Sequence, residues 1–356
     1  MRRCLAIVVP IALAALSVDA TVAAPAREPV RFTSGGFILE GDLLLPEGQP
    51  PYPAVVYVWG GGPTDRNRHI DGSPVLQMFL DEGFAVFLWD KPGSGGSSGE
   101  WAPGRLFDQR AAILVDALGL LRAHPAIRPD AIGLYGSSQA AYVLGLALQR
   151  TTMPAFLIAW SCPMQDSVMQ GAYLVRNFAL CAGLTAGEAE RAGRAYLDRG
   201  QAGTYAEYLA AARVLAELPA IRDDLGWAAV AAEADFTPAD PASESFLDPG
   251  VLLDGRLAWP VLALFAEHDR QIDPVQGAAV VGRLIGGRED GLSAVVTVPG
   301  ADHNMILSPR GCMQDQRDGY AAVGGRTIAP FFIDTIRGWL RRLGPALGGD
   351  RGAVVR

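Results

Sequence analysis

Ile132-Gly133-Leu134-Tyr135-Gly136-Ser137-Ser138-Gln139-Ala140 joins a short apolar run to the start of an apolar helical pattern. The small residues Gly136 and Ala140 flank Ser138 symmetrically, which is the G-x-S-x-G/A pattern of a sharp strand-to-helix turn. Such a turn lifts the serine hydroxyl above the edge of a sheet, and the helix N-terminus beside it favours negative charge. The same letters also occur by chance around an ordinary N-cap serine. The strand–turn–helix context favours the first interpretation and selects Ser138 over Ser137.

Apolar strands and amphipathic helices alternate on both sides of this turn. A parallel sheet covered on both faces has this pattern, because its strands are buried from both sides. We predict a first strand pair at Arg31–Ser34 and Phe37–Leu45, turning at Gly35-Gly36. Further strands are predicted at Ala54–Trp59, Ala85–Trp89, Ile132–Tyr135, Phe156–Trp160, Val261–Ala266 and Ala294–Val298. Helices are predicted at Val75–Asp81, Leu106–Ala123, Gln139–Leu148, Val275–Ile285 and Ile328–Leu343.

The alternation stops between residues 164 and 250, a stretch rich in Ala, Glu and Arg. Thr185 with Glu188, and Thr204 with Glu207, have the spacing of capping boxes that open helices. We therefore expect a helical cap insertion at 164–250 between two parts of a core, 25–163 and 251–356. Ligands bind at the carboxyl ends of the strands in such sheets, so the insertion should cover the site. Its candidate pocket walls are Tyr173, Phe178 and Trp227, although aromatic residues at helical spacing are more often core.

A serine nucleophile needs a general base, and the base needs an acid to orient it. We select His303, just past the last strand, over the other histidines, which are His69, His124 and His268. Asp269 follows the strand Val261–Ala266 and is the preferred acid. Asp273 is the fallback, and Asp302 should point elsewhere. The order Ser138, Asp269, His303 is the one typical of nucleophile-elbow enzymes.

Two N–H donors should stabilise the oxyanion of the tetrahedral intermediate. One is the backbone N–H of Gln139, directly after the serine. The other comes from the glycine loop Trp59–Asn67, where we select Gly61. This loop lacks the glycine and lysine spacing of a phosphate-binding loop. Arg66 either pairs with Asp65 to hold the loop, which we favour, or meets an anionic substrate.

Composition excludes several other classes of protein. The chain has 356 residues, of which 50% are hydrophobic and 19% charged, so it can form a large core. A formal net charge of −8 without a basic block excludes typical nucleic-acid binding. Residues 1–24 are expected to be a signal peptide, with Arg2 and Arg3 before the apolar run Cys4–Val18. We therefore expect an exported protein, periplasmic or secreted, without stable membrane insertion after signal removal.

The cysteines beyond that segment are Cys162, Cys181 and Cys312. An odd number allows at most one internal disulfide and leaves one thiol. Cys162 and Cys181 are the closer pair in sequence, but spacing alone does not decide the pairing. No pair has the spacing of zinc ligands, so we expect no metal.

The chain resembles the α/β-hydrolase superfamily, and within it the exported esterase relatives of dienelactone hydrolases and prolyl-oligopeptidase-type peptidases. The residues that carry the resemblance are Gly60–Asn67, Asp90–Ser97, Gly136–Ala140, Asp269 with Pro274, and Gly300 with His303. Trp59 departs from the pattern, because many relatives have histidine before the glycines. Ala140 also departs, because it replaces the commoner second glycine. The resemblance implies an α/β-hydrolase fold with a mostly parallel sheet.

The expected function is that of a serine hydrolase which cleaves a carboxylic ester or related acyl bond through an acyl-enzyme. Such chemistry acts on a small-molecule acyl substrate and needs no cofactor or metal. An exported peptidase or amidase with the same triad is the alternative enzyme. A non-catalytic binding protein on a hydrolase scaffold is the alternative from another class. A dehalogenase or epoxide hydrolase is disfavoured because the turn carries serine rather than aspartate. The sequence leaves the oligomeric state open.

Overall fold

The computed structural model describes residues 26–70, 72–100, 106–225 and 230–348. The expected signal peptide and Trp227 lie outside these residues. The strands are β1 (Ala26–Ser34), β2 (Phe37–Leu45), β3 (Tyr52–Val58), β4 (Ala85–Trp89), β5 (Ile127–Ser137), β6 (Leu157–Trp160), β7 (Val261–Ala266) and β8 (Ala294–Val298). Within the described part of the chain they form an eight-stranded sheet in the order β1-β2-β4-β3-β5-β6-β7-β8.

The sheet is antiparallel only at its first edge. β1 pairs with β2, and β2 with β4, in antiparallel register, whereas all other neighbours are parallel. The β1–β2 turn falls at Gly35-Gly36, as predicted, and both glycines have positive φ. The mostly parallel sheet of an α/β-hydrolase fold is thereby confirmed.

Helices cover both faces of the sheet. Their bounds are α1 (Asn67–Ile70), α2 (Pro74–Asp81), α3 (Phe107–Arg122), α4 (Ala140–Ala147), α5 (Ser167–Cys181), α6 (Ala186–Gly200), α7 (Tyr205–Ala216), α8 (Pro219–Leu225), α9 (Pro249–Leu252), α10 (Pro274–Leu284), α11 (Met313–Arg317) and α12 (Pro330–Gly348). Short 3-10 turns lie at Glu233–Asp235, Glu244–Phe246 and Ala321–Val323. One core layer contains side chains of α3, α4 and α10, and the opposite layer contains those of α2 and α12.

β5 is longer than the apolar pattern indicated. It begins at Ile127, where it pairs with Tyr52, and continues to Ser137 at the turn. Arg128, Pro129 and Asp130 lie in this strand but are partly or fully exposed, so they break the apolar pattern. An apolar pattern in the sequence marks only the buried part of such a strand. The residues near its start are also extended, but they are not fully covered.

The region between β6 and β7 is helical, as predicted, and contains α5 to α9. Both capping boxes are formed. The side chains of Thr185 and Thr204 accept the backbone N–H groups of Glu188 and Glu207, and the glutamate side chains accept the backbone N–H groups of the threonines. The cap has its own apolar cluster, formed by Val175, Phe178, Ala179, Ala189, Ala192, Ala195, Leu215, Leu218 and Ile221. Small residues on α5 and α6 let these helices pack closely. The cap is therefore a packed unit with its own core.

A disulfide joins this cap to the second part of the core. It links Cys181, at the end of α5, to Cys312, directly before α11. The closer pair in sequence, Cys162 and Cys181, is not the bonded one. Cys162 is a buried free thiol beside the carbonyl of Gly136. Tertiary packing decides the pairing here, because it brings together residues 131 positions apart.

Candidate active site

Ser138 lies at a strained turn between β5 and α4. Its φ is +53°, in the left-handed region that non-glycine residues rarely adopt. A Cβ built on Gly136 would lie 3.1 Å from the Cβ of Ala140 and 2.9 Å from the end of the Leu144 side chain, so a larger residue there would have to displace its neighbours. The turn is further held by the N–H of Ser138, which donates to the carbonyl of Trp160 at 3.3 Å. The sequence thus forms the tight turn that its small residues predict.

Ser138, His303 and Asp269 form one hydrogen-bonded row. The Nε2 atom of His303 is 3.1 Å from the Oγ atom of Ser138, and its Nδ1 atom is 2.8 Å from Oδ2 of Asp269. The other carboxylate oxygen of Asp269 accepts the backbone N–H groups of Gln271 and Ile272, at 2.8 and 3.0 Å. Asp269 is 2% exposed and His303 is 6% exposed. The row can move a proton from the serine hydroxyl to an imidazole whose other nitrogen is already held.

Two opposing effects set the pKa of His303. Burial disfavours the imidazolium and lowers the pKa, but the carboxylate of Asp269, with a smaller contribution from Asp302, favours it. The carboxylates outweigh burial, so the pKa of His303 is raised above its ordinary value. An imidazole that binds a proton more readily is a better general base once it is neutral.

The alternative acids and bases have other contacts. Asp273 caps α10 by accepting the N–H groups of Val275 and Gln276. Asp302 accepts backbone N–H groups within its own loop. His268 Nδ1 lies 2.8 Å from the carbonyl oxygen of Ser308. The remaining histidines are His124, which pairs with Glu28, and His69, which lies against the Trp59 ring.

The glycine loop lies against the serine turn. A Cβ built on Gly60 would be 3.1 Å from the Cβ of Ser138, and one built on Gly61 would be 3.2 Å from the side chain of Gln139. Larger residues at either position would therefore collide with the turn. The two segments expected to supply oxyanion donors are in close contact.

Arg66 holds the glycine loop, as favoured, but its partners differ from the predicted one. Its Nε atom donates to Asp42 at 2.5 Å, and its Nη1 atom donates to the buried carboxylate of Asp90. Asp90 also accepts the N–H groups of Arg66 and Gly96, so it fastens the glycine loop to the segment after β4. The guanidinium is thus bound by Asp42 and Asp90 rather than by Asp65. The alternative of a contact to an anionic substrate does not fit this arrangement.

The structure places the predicted pocket residues Phe178 and Tyr173 in different environments. Phe178 is 2% exposed and packs inside the cap cluster, so it is core, not pocket wall. Burial within the cap explains this difference, since helical periodicity does not tell which neighbour a buried face meets. Tyr173 is half-buried, and its hydroxyl donates to the backbone carbonyl of Asp269 at 3.1 Å. Gln170 likewise donates to the carbonyl of Gln271 at 2.8 Å, so α5 lies on the loop that carries the acid.

Sequence reasoning missed two cations beneath the glycine loop. Lys91 Nζ donates to the carbonyls of Gly60 and Gly62, and Arg110 donates to those of Trp59 and Gly60. A signal was present for the first, because Lys91 is the one lysine of the chain and directly follows a buried strand. The sequence gives no comparable signal for Arg110, because arginines are frequent throughout the chain.

In the part of the chain that the structure covers, no group of three or more His, Cys, Asp or Glu side chains could hold a metal ion. A search of the same residues for a helix both long and apolar enough to span a membrane finds none.

The fold and the serine turn define the class: the protein is a serine hydrolase with an α/β-hydrolase fold. The profile of the X-Pro dipeptidyl-peptidase family (S15 family) matches residues 35–243, more than half of the chain. The chain therefore belongs to the S15 family. The matched region contains the glycine loop and Ser138 but ends before Asp269 and His303. No curated protein matches the sequence.

Solved structures agree with the fold. The esterase Pf2001 of Pyrococcus furiosus is 14% identical with a TM-score of 0.52, over 89% of this chain and 91% of the esterase. The α/β hydrolase GrgF of Penicillium sp. sh18 is 16% identical with a TM-score of 0.51, over 89% of this chain and 98% of GrgF. At these identities the similarity establishes the shared fold.

Proposed function

We propose that Ser138, His303 and Asp269 are a catalytic triad that hydrolyses a carboxylic ester or related acyl bond of a small molecule. The observation that carries this proposal is the row of contacts from Ser138 Oγ to His303 to Asp269, at 3.1 and 2.8 Å. Ser138 would be the nucleophile, His303 the general base and Asp269 the residue that orients the imidazole.

The reaction would proceed in two halves. Ser138 Oγ attacks the carbonyl carbon while His303 takes the hydroxyl proton, and Asp269 stabilises the imidazolium. His303 then gives this proton to the leaving alcohol, which departs as the acyl-enzyme forms. A water molecule attacks the acyl-enzyme in the same way, and the acid is released from Ser138. The chemistry takes place on side chains of the protein throughout.

The oxyanion would be bound by the N–H groups of Gln139 and Gly61. Gln139 follows the nucleophile, so its N–H lies at the turn itself. The glycine loop supports the second assignment, because Gly61 lies in contact range of the Gln139 side chain. Donors fixed in place before the reaction stabilise developing charge without reorganisation.

A series of p-nitrophenyl esters of increasing acyl length tests the proposed activity. We expect saturable hydrolysis by the wild-type protein and none above background by Ser138→Ala. Ser137→Ala is the matched control, because Ser137 is the adjacent serine and should keep most of the activity. Absence of hydrolysis across the whole series would contradict the ester proposal.

Peptide hydrolysis is the second candidate, favoured by the match to the X-Pro dipeptidyl-peptidase family. The same triad attacks an amide carbonyl, so the two activities differ in substrate recognition rather than in chemistry. Ala-Pro-p-nitroanilide separates them when assayed beside p-nitrophenyl acetate. Cleavage of the anilide with a kcat/KM above that of the ester would assign the protein as a peptidase.

We infer that residues 164–250 act as a lid that sets substrate size, while the core carries the chemistry. Support comes from α5, whose Gln170 and Tyr173 touch the loop of Asp269. Tyr173→Ala should shift the preferred acyl length, whereas Tyr173→Phe, which keeps the ring, should not. An unchanged length profile in Tyr173→Ala would contradict the lid.

We also propose that the protein is exported to the periplasm or the medium. The Cys181–Cys312 disulfide supports this, because such bonds persist in oxidising compartments. Fractionation of cells that express the full chain should place the protein outside the cytoplasm. Retention in the cytoplasm, with free thiols at both positions, would contradict export.

A further inference from the structure

Three carbonyl oxygens of the glycine loop accept hydrogen bonds from two basic side chains, Lys91 and Arg110. Lys91 Nζ is 2.6 Å from the carbonyl oxygen of Gly60 and 2.7 Å from that of Gly62. Arg110 Nη2 donates to the carbonyl of Trp59 and, at 3.0 Å, to that of Gly60. The carbonyl of Gly60 thus has a donor from both cations. This is the peptide group whose nitrogen belongs to Gly61.

The geometry of a peptide bond transmits this contact to the other side of the loop. In a planar trans peptide the C=O and the N–H point in opposite directions. Because the carbonyl of Gly60 points to Lys91 and Arg110, the N–H of Gly61 must point away from them. Gly61 itself lies against Gln139, the residue after the nucleophile. Holding the carbonyl therefore fixes the direction of the proposed oxyanion donor.

Both side chains are enclosed by the core beneath the loop. Lys91 is 4% exposed, and with Arg110 it lines a small hollow among Val58, Trp89 and Ile113. Burial, with the charge of Arg110 nearby, lowers the pKa of Lys91 to about 6. A neutral amine still has two N–H groups, enough for both carbonyls. An apolar residue at either position would leave carbonyl oxygens of the glycine loop without these donors.

We propose that Lys91 and Arg110 are positioning residues that hold the glycine loop so that the Gly61 N–H faces the oxyanion. This inference rests on the proposed function, because it deepens the assignment of Gly61 as a donor. Neither side chain would touch the substrate. Their effect would appear in the transition state, when charge develops on the carbonyl oxygen.

Arg110 is also connected to the cap. It lies in the first turn of α3, where the N–H groups of Phe107 and Asp108 donate to the carboxylate of Glu244, at 3.0 and 2.6 Å. Glu244 belongs to the end of the insertion. Burial lowers the pKa of Arg110 to about 10, and the negative charge of Glu244 opposes this shift. The last part of the cap therefore holds the helix end that carries one of the two positioning residues.

Kinetics of Lys91→Met and Arg110→Met test the proposal. Each variant keeps an unbranched side chain but loses the donors, and we expect kcat to fall by about 10–100-fold with KM nearly unchanged. Affinity for a trifluoromethyl ketone, which forms a tetrahedral adduct with the serine, should fall by a similar factor. Arg128→Met is the control, because Arg128 donates to the carbonyl of Leu347, away from the site, at 2.5 Å. Unchanged kcat and ketone affinity in both test variants would overturn the proposal.

A wild-type experiment avoids any effect of substitution on folding. Lysine labelled with 13C at Cε gives a single side-chain signal, since Lys91 is the one lysine of the chain. Formation of the ketone adduct, followed by 19F, should shift this signal, and Ser138→Ala should show neither change. An adduct that leaves the Lys91 signal in place would overturn the proposal. A wild-type protein that hydrolyses no acyl substrate would instead overturn the proposed function.

Discussion

The serine turn and the cap are both well packed, but different contacts fix their geometry. At the turn, Gly136, Ser138 and Ala140 are constrained by residues next to them in the chain and by the neighbouring strand. The cap is constrained by its own cluster, and it is attached to the core at α5 and through the Cys181–Cys312 bond. The nucleophile, which needs precise placement, lies on the serine turn. The cap can vary in shape without moving the nucleophile, so it is suited to controlling which substrates reach the site.

This comparison predicts that substitutions separate into two groups. Changes at the row of Ser138, His303 and Asp269 should lower the rate and leave stability nearly unchanged. Changes inside the cap cluster should lower stability and leave the chemistry intact. A variant of the row that mainly loses stability, or a variant of the cap cluster that mainly loses catalytic rate, would contradict this separation.

The largest effect is expected for Ser138→Ala. Removal of the nucleophile should lower kcat by about 10⁴–10⁶-fold, as is typical for such triads. The melting temperature should stay close to that of the wild type, because alanine fits the same positive-φ turn as serine does. If Ser138→Ala retains more than a small fraction of the activity and Ser137→Ala does not, the nucleophile is Ser137.

Asp269→Asn comes next. The amide cannot stabilise the imidazolium and can hold the wrong tautomer of His303, so kcat should fall by roughly 10⁴-fold. Asp273→Asn is the matched control. It alters an N-cap of α10 and should be mild, because asparagine is also a good N-cap. The reverse ranking in steady-state kinetics would give the role of the acid to Asp273.

The pH dependence of kcat/KM tests the charge around His303. The base must be neutral to accept the serine proton, so activity should rise with pH as His303 loses its proton. Because Asp269 and Asp302 raise the pKa of His303, the midpoint of this rise should lie above about 6.5, the ordinary histidine value. In Asp269→Asn the midpoint should move down. A wild-type midpoint below the ordinary value would contradict the account of the site.

Phe178→Ala tests the other region of the molecule. The side chain is buried in the cap, so its removal should destabilise the protein by about 3–5 kcal/mol, measured by denaturant unfolding. The preferred acyl length at a temperature where the variant is folded should stay as in the wild type. A shifted length preference without loss of stability would make Phe178 a pocket wall after all.

The two regions also differ in what sequence could predict. The turn at Ser138 is encoded within a few residues. The fully buried strands Ala85–Trp89 and Val261–Ala266, and the partly buried edge strand Ala294–Val298, have the predicted bounds. Two helices of the cap, α6 and α7, could be predicted from their capping boxes, because a capping box is a local contact between residues three apart. Local signals thus sufficed for most elements and for the residues placed at strand ends.

What could not be predicted depends on contacts between distant segments. The partners of Arg66 are Asp42, on β2, and Asp90, directly after β4, and both are distant from it in sequence. The burial of Phe178 depends on how α5 meets α6, and periodicity gives only the direction of an apolar face. The disulfide partner of Cys181 depends on docking of the cap onto the core. In each case the neighbour of the residue depends on the tertiary structure.

Covalent labelling tests directly whether Ser138 is an activated nucleophile. The wild-type protein is incubated with a fluorophosphonate, digested and mapped by mass spectrometry, with the labelling rate followed over time. We predict one modified site at Ser138, no modification in Ser138→Ala, and a much slower reaction in Asp269→Asn. No labelling of the folded wild-type protein, or labelling at another residue while Ser138 stays unmodified, would contradict the account.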